Sequence, residues 1–139
     1  MSVTFPTEVN FKTLPQNTFN GCTSLVNVTI PEGVTTLGTK AFTNCAITEI
    51  TLPSTLTYVT KQTFDGCRQL KVVTAKRYIA DAEPKITEIQ SDTQYLTFRN
   101  TGLEHIYVPA EAVELYKAHA GWQGKNGAWA ELIEAIPAQ

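Results

Sequence analysis

Three cysteines, two histidines and thirteen carboxylates are the residues to search first for chemistry beyond packing. Cys22, Cys45 and Cys67 recur at nearly equal intervals. Three thiols invite a metal reading, but equally spaced strands about 4.8 Å apart set them in a line, not a tetrahedron. Neither a fourth cysteine nor a nearby histidine closes such a site. An odd number at regular spacing is also no disulfide framework. The three are therefore expected to pack as small apolar side chains. His105 lies on an outward-facing strand, and His119 near a helix end, where a cation favours the dipole. Glu49 and Glu104 are the only acids on the predicted strands. A parallel ladder keeps Glu49 and His105 at least two strands apart, so no nucleophile, base and oxyanion donor converge. H-E-x-x-H, Walker and G-x-G-x-x-G patterns are missing too. The expectation is no enzyme, no cofactor and no metal.

The elements that place these residues come from an internal repeat. The stretch F-N-G-C-T-S-L-V-N-V-T-I-P-E-G-V-T-T-L-G-T-K-A-F (19–42) recurs as F-T-N-C-A-I-T-E-I-T-L-P-S-T-L-T-Y-V-T-K-Q-T-F (42–64), and a third copy opens F-D-G-C-R-Q-L-K-V-V-T-A. Phe19, Phe42 and Phe64 form one column, the cysteines a second, and Leu25, Ile47 and Leu70 a third. Val28, Ile50 and Val73 follow, then Ile30, Leu52 and Ala75, then Pro31 and Pro53. The second copy lacks one residue between Cys45 and Ile47. Upstream, Val3, Phe5, Pro6 and Val9 fit the same columns. Downstream, F-R-N-T-G-L-E-H-I-Y-V-P (98–109) matches 42–53 without a gap. A period of 22–23 residues falls in the leucine-rich-repeat range and is too short for ankyrin, tetratricopeptide or propeller units.

Within each copy the alternation predicts a strand, over 25–30, 47–52, 70–75 and 103–108. Pro31, Pro53 and Pro109 end the pairing. Val34, Leu37, Leu56 and Val59 then line a return segment. Gly21, Asn44, Gly66 and Asn100 precede the cysteine column and predict a left-handed turn there, not a phosphate loop. Residues 76–97 form a longer, irregular copy in which Pro84, Ile86 and Ile89 are read as standing in for the proline and two apolar columns. A lengthened, solvated return loop is the simpler reading of it, and a binding loop the functional one. After Pro109 the period becomes helical: Val113, Tyr116 and Ala120, stopped by Gly121, then Trp129, Leu132, Ile133 and Ile136. An array of repeats has an open apolar end, which these two segments are expected to cover.

The pattern L-x-x-V-x-I-P-x-x-V-x-x-I-x-x-x-A-F-x-x-C resembles the BspA-like (Treponema-type) leucine-rich repeat of bacterial surface proteins. The tail G-L-E-H-I-Y-V-P-A-E-A-V-E-L-Y-K with Trp122 is similar to that family's C-terminal end. The resemblance implies a right-handed repeat solenoid, a leucine-rich-repeat superhelix with a parallel strand ladder over 1–109 and a C-terminal helical cap over 110–139. It also implies export, and hence an extracellular or cell-surface protein whose targeting segment has been removed or lies in a longer chain.

The net charge of −2, with 17% charged residues, supplies no basic surplus for phosphates, so nucleic acid is not an expected partner. No window is apolar for long enough to suggest a transmembrane helix. A repeat array meets ligands through an extended surface. The expected function is a non-catalytic interaction module binding a protein partner. The candidate face is the outward side of the strands: Asn27, Thr29, Glu49, Thr51, Val72, Thr74, His105 and Tyr107, with Tyr107 the best anchor. The alternatives are a structural spacer within a larger surface protein, or a carbohydrate-binding module. The last needs aromatic platforms, and only Tyr107 stands on that face; Tyr58, Tyr78 and Tyr95 fall in return segments.

Overall fold

The computed structural model describes residues 2–5, 11–90 and 96–137; Pro6, Val9 and Tyr95 lie outside these. The strands are short. In chain order they are β1 (Ser2–Thr4), β2 (Thr13–Leu14), β3 (Asn27–Thr29), β4 (Thr36–Leu37), β5 (Glu49–Leu52), β6 (Tyr58–Val59), β7 (Val72–Ala75), β8 (Glu88–Ile89), β9 (His105–Val108) and β10 (Ile133–Ala135). They form two sets of parallel pairs. A front ladder runs β1–β3 and, separately, β5–β7–β9–β10, and a back ladder runs β2–β4–β6–β8. Of the front strands, β3, β5, β7 and β9 fall inside the predicted ones but are shorter. Leu25, Ile47 and Leu70 precede the pairing, yet each is fully buried. The back ladder was not expected, because two-residue strands such as Thr36–Leu37 are too short to show a period of two.

The registered columns are the core. Val28, Ile50, Val73 and Ile106 lie on the inner side of the front ladder, and Leu14, Leu37, Val59 and Ile89 on that of the back ladder, all buried. Register places Ile89 beside Val59, so the irregular copy rejoins the array there. Between the ladders runs a line of rings. Phe19–Phe42, Phe42–Phe64 and Phe64–Phe98 have centroids 5.4, 5.4 and 5.5 Å apart and interplanar angles of 20° or less. The left-handed turns are where expected: φ is 79° at Gly21, 60° at Asn44, 79° at Gly66 and 59° at Asn100. At Gly66 a Cβ would also collide with the Asn44 side-chain oxygen. A second left-handed column, Asn17, Lys40 and Gln62, carries no residue type that announces it.

The cysteine column serves the same turns. Cys45 Sγ donates to the Phe19 carbonyl at 3.2 Å, and Cys67 Sγ to the Phe42 carbonyl at 2.9 Å. Cys22 is half-buried, and all three are free thiols. Burial pushes the Cys45 thiol up to about 12, and the Cys67 thiol up to about 11, from an ordinary 9.0.

The C-terminal segment differs from its predicted form. A 3-10 turn (Ala110–Ala112) leads into α1 (Val113–Ala118) and α2 (Ala120–Gln123). The break falls at His119, not at Gly121. His119 lies at a helix end as expected, being the C-terminal cap of α1; its backbone is extended, and its side chain accepts the Gly121 amide at 3.1 Å, so it also caps α2. The expected second amphipathic helix is instead a 3-10 turn, Ala130–Leu132, followed by β10. Of its supposed apolar stripe only Ile133 is buried, while Ile136 is exposed. Pairing with the free edge of β9 satisfies backbone groups that a helix would have left open.

Tyr116 and Trp122 fasten this segment to the irregular copy. The Tyr116 hydroxyl donates to the Arg77 carbonyl at 2.7 Å and accepts the Thr87 amide at 3.1 Å. Trp122 Nε1 donates to the Thr87 carbonyl at 2.7 Å. Burial raises the Tyr116 phenol above its ordinary value.

Two predictions follow from this packing. Tyr116→Phe orphans a buried amide and should lower stability by about 1–3 kcal/mol in urea titrations; an unchanged midpoint would show that the hydroxyl does not anchor the segment. The second concerns alkali. The two buried thiols ionise in the unfolded chain near pH 9 but in the folded one only near pH 11–12. Between those values the unfolded state holds fewer protons, so stability falls as pH rises. The wild type should lose stability between pH 9 and pH 11, and Cys45→Ala/Cys67→Ala should lose distinctly less across that range. Equal slopes in the two proteins would contradict this account.

Candidate strand-face site

The eight predicted face residues all lie on the front ladder. Register joins Glu49 to Val72 and Val72 to His105, and joins Thr51 to Thr74 and Thr74 to Tyr107. Ser2 beside Asn27 and Thr4 beside Thr29 extend both columns upstream. Asn27, Thr29, Glu49, Thr51 and His105 are exposed, while Val72, Thr74 and Tyr107 are half-buried. The structure brings them onto one surface but not to one point. Glu49 and His105 are two strand steps apart, roughly 10 Å.

Two features of this surface escaped the sequence. β10 adds Glu134 next to Tyr107 in register, and its carboxylate lies 3.0 Å from His105 Nδ1. The signal was there: Pro137 follows I-E-A-I as Pro31, Pro53 and Pro109 follow the earlier strands. The helical spacing of the same residues hid it. Beside this pair the His105 and Tyr107 rings lie parallel, 5.5 Å apart and 5° from coplanar. The second feature is a gap. β3 and β5 are in different sheets. Ala46 donates to the Leu25 carbonyl at 2.9 Å, but among the described residues no backbone bond joins 26–30 to 48–52. A cleft of about 180 Å³ opens there, lined by Asn27, Val28, Thr29, Glu49 and Thr51. It lies in the repeat that is one residue short between Cys45 and Ile47.

Several threonine hydroxyls bind one repeat to the next, though those of Thr13, Thr23, Thr36, Thr39 and Thr48 have no partner among the described residues. Thr35, Thr43, Thr55, Thr57, Thr60 and Thr87 all donate to backbone carbonyls, each of the neighbouring repeat. The hydroxyls of Thr29, Thr51 and Thr74 have no such partner among the described residues, nor does the Glu49 carboxylate. Lysines beside the ladder are already engaged, Lys71 with Glu104 at 3.5 Å and Lys76 with Glu32 at 3.6 Å.

A larger cavity, about 640 Å³, lies beside Trp129 and is lined also by Phe98, Asn100, Leu103, Lys125 and Leu132. The guanidinium at its edge is committed elsewhere. Arg99 Nε and Nη2 donate to Asp65 Oδ2 at 3.2 and 2.7 Å, and Asn100 Nδ2 to Oδ1 at 3.1 Å. Asp65 is buried, so these bonds tie the third turn to the fourth.

Among the described residues no group of three or more His, Cys, Asp or Glu side chains could hold a metal ion. No helix among the described residues is long and apolar enough to cross a membrane. No curated protein matches the chain. The model of the BspA type leucine rich repeat region matches residues 1–119 in six copies. With a match over most of its length, the chain belongs to the BspA-type leucine-rich-repeat family.

Proposed function

We propose that this chain is a non-catalytic interaction module that binds a protein partner through the front strand face, as part of a protein exposed outside a bacterial cell. Residues 1–109 form the binding array, wound as a right-handed solenoid, and 110–139 close its end. The observation that carries this reading is the parallel pair of rings, His105 and Tyr107, presented on the outward side of the front ladder. Beside that pair, the hydroxyls of Thr29, Thr51 and Thr74 have no protein partner among the described residues and face the same surface. Family membership supports the non-catalytic reading, since repeats of this type are interaction modules. Surface association is the general habit of the family and supports the location.

His105 and Tyr107 supply the anchor. Their parallel rings make a flat apolar area with a polar tip, the kind of group that dominates protein interfaces. Peptides selected from a random display library on the wild-type protein should bind His105→Ala/Tyr107→Ala at least about tenfold more weakly, a loss of about 1.4 kcal/mol. The melting temperature should stay unchanged, because neither side chain is in the core. Peptides that bind both proteins equally would place recognition elsewhere. Glycan-array hits that vanish in the same variant would replace the protein partner with a carbohydrate.

A further inference from the structure

We propose that the cleft between β3 and β5 receives a cationic side chain, a lysine ammonium or arginine guanidinium, from a basic segment of the partner protein. This rests on the strand-face reading and names the chemistry of one part of it. The lining is a set of acceptors around one charge. Glu49 lines the cleft with a carboxylate, and Asn27, Thr29 and Thr51 line it with side chains whose oxygens can accept. Lysine carries three donors and arginine five, and neither has an acceptor to clash with such a set. An anion would meet the Glu49 carboxylate instead.

The apolar lining fits the stem of the same side chain. Val28 is 9% exposed, against 2% for Ile50 and 0% for Val73 in the same column. Val28 is the most exposed of these three and is among the residues that line the cleft. Long cationic side chains lay their methylenes on such surface and keep the head among polar groups. At about 180 Å³ the cleft holds about six waters, which an incoming head and stem would displace.

Charge balance points the same way. The outward columns, Ser2, Asn27, Glu49, Val72 and His105 with Thr4, Thr29, Thr51, Thr74, Tyr107 and Glu134, contain no lysine or arginine. Lys71 and Lys76 are held by Glu104 and Glu32, and Glu134 lies against His105. Among the described residues Glu49 remains a carboxylate without a countercharge, beside a gap that no backbone pairing fills.

The test is an amide-shift titration with three small probes: N-acetyl-lysine methylamide, N-acetyl-arginine methylamide and the uncharged N-acetyl-norleucine methylamide. The expected result is saturable shifts at Asn27, Thr29, Glu49 and Thr51 with one or both cations and none with norleucine. Glu49→Gln should weaken them about two- to fivefold, as befits an exposed pair, and added salt should weaken them too. The cation giving the larger shifts identifies the side chain. No shifts at the cleft would mean that it holds water only and would overturn the proposal. Equal shifts with norleucine, or undiminished shifts in Glu49→Gln, would overturn it as well. The wider reading fails separately. Display-selected peptides that lose binding to His105→Ala/Tyr107→Ala yet bind Glu49→Gln normally leave the strand face standing and remove only the cation.

Discussion

The spacing of the phenylalanine rings is the constraint on which the rest of the structure depends. Successive rings from Phe19 to Phe98 sit 5.4, 5.4 and 5.5 Å apart. The stretches of chain between them are unequal: 23 residues from 19 to 42, 22 from 42 to 64, and 34 from 64 to 98. Ring spacing is thus independent of loop length. Aromatic burial and parallel pairing both favour a separation near 5 Å, so a repeat of any length must deliver its ring to the same place. The backbone bonds at the turn show how: Phe42 donates to Thr63 and Phe64 to Thr97, at 2.9 and 3.1 Å.

Departures from the average length therefore appear away from the rings. The surplus of the irregular copy is turned outward. Residues 79–85 are exposed, closed on themselves by the antiparallel bridge Ile79–Lys85 and the Asp81–Lys85 pair at 3.7 Å. The deficit of the second copy has no such outlet. One residue fewer lies between Cys45, held to Phe19, and Ile47, locked in the core, and it is beside this copy that the front ladder is interrupted. Insertion yields a loop, and deletion coincides with a cleft.

The columns were legible because a repeat prints the same physical requirement several times. A single Gly-Cys or Asn-Val-Thr says little; three in register separate core, turn and surface. The left-handed turn at Gly21, Asn44, Gly66 and Asn100 was readable because residue type tracks φ there. The turn at Asn17, Lys40 and Gln62 was not, since lysine and glutamine adopt positive φ only where neighbours impose it. β10 was lost where the repeats stop. Trp129, Leu132, Ile133 and Ile136 fit a helical stripe, and short apolar runs fit either period. What decided the matter was the unpaired edge of β9, a fact of tertiary structure that local spacing does not contain.

That same strand ties the end of the array to its open face. By pairing with β9, β10 covers an edge that would otherwise offer free backbone groups to other chains. It also carries Glu134 onto the surface beside His105 and Tyr107, so closing the ladder and furnishing the face are one act. The two ends of the face then differ in kind. Near β9 and β10 the rings are parallel and the carboxylate is already matched by an imidazole, which suits a flat, largely apolar contact. Near β3 and β5 the carboxylate is unmatched and the surface is notched. A partner lying across the strands would meet a platform at one end and a charged recess at the other. On the proposed strand-face reading, that asymmetry would set the direction in which an extended segment lies.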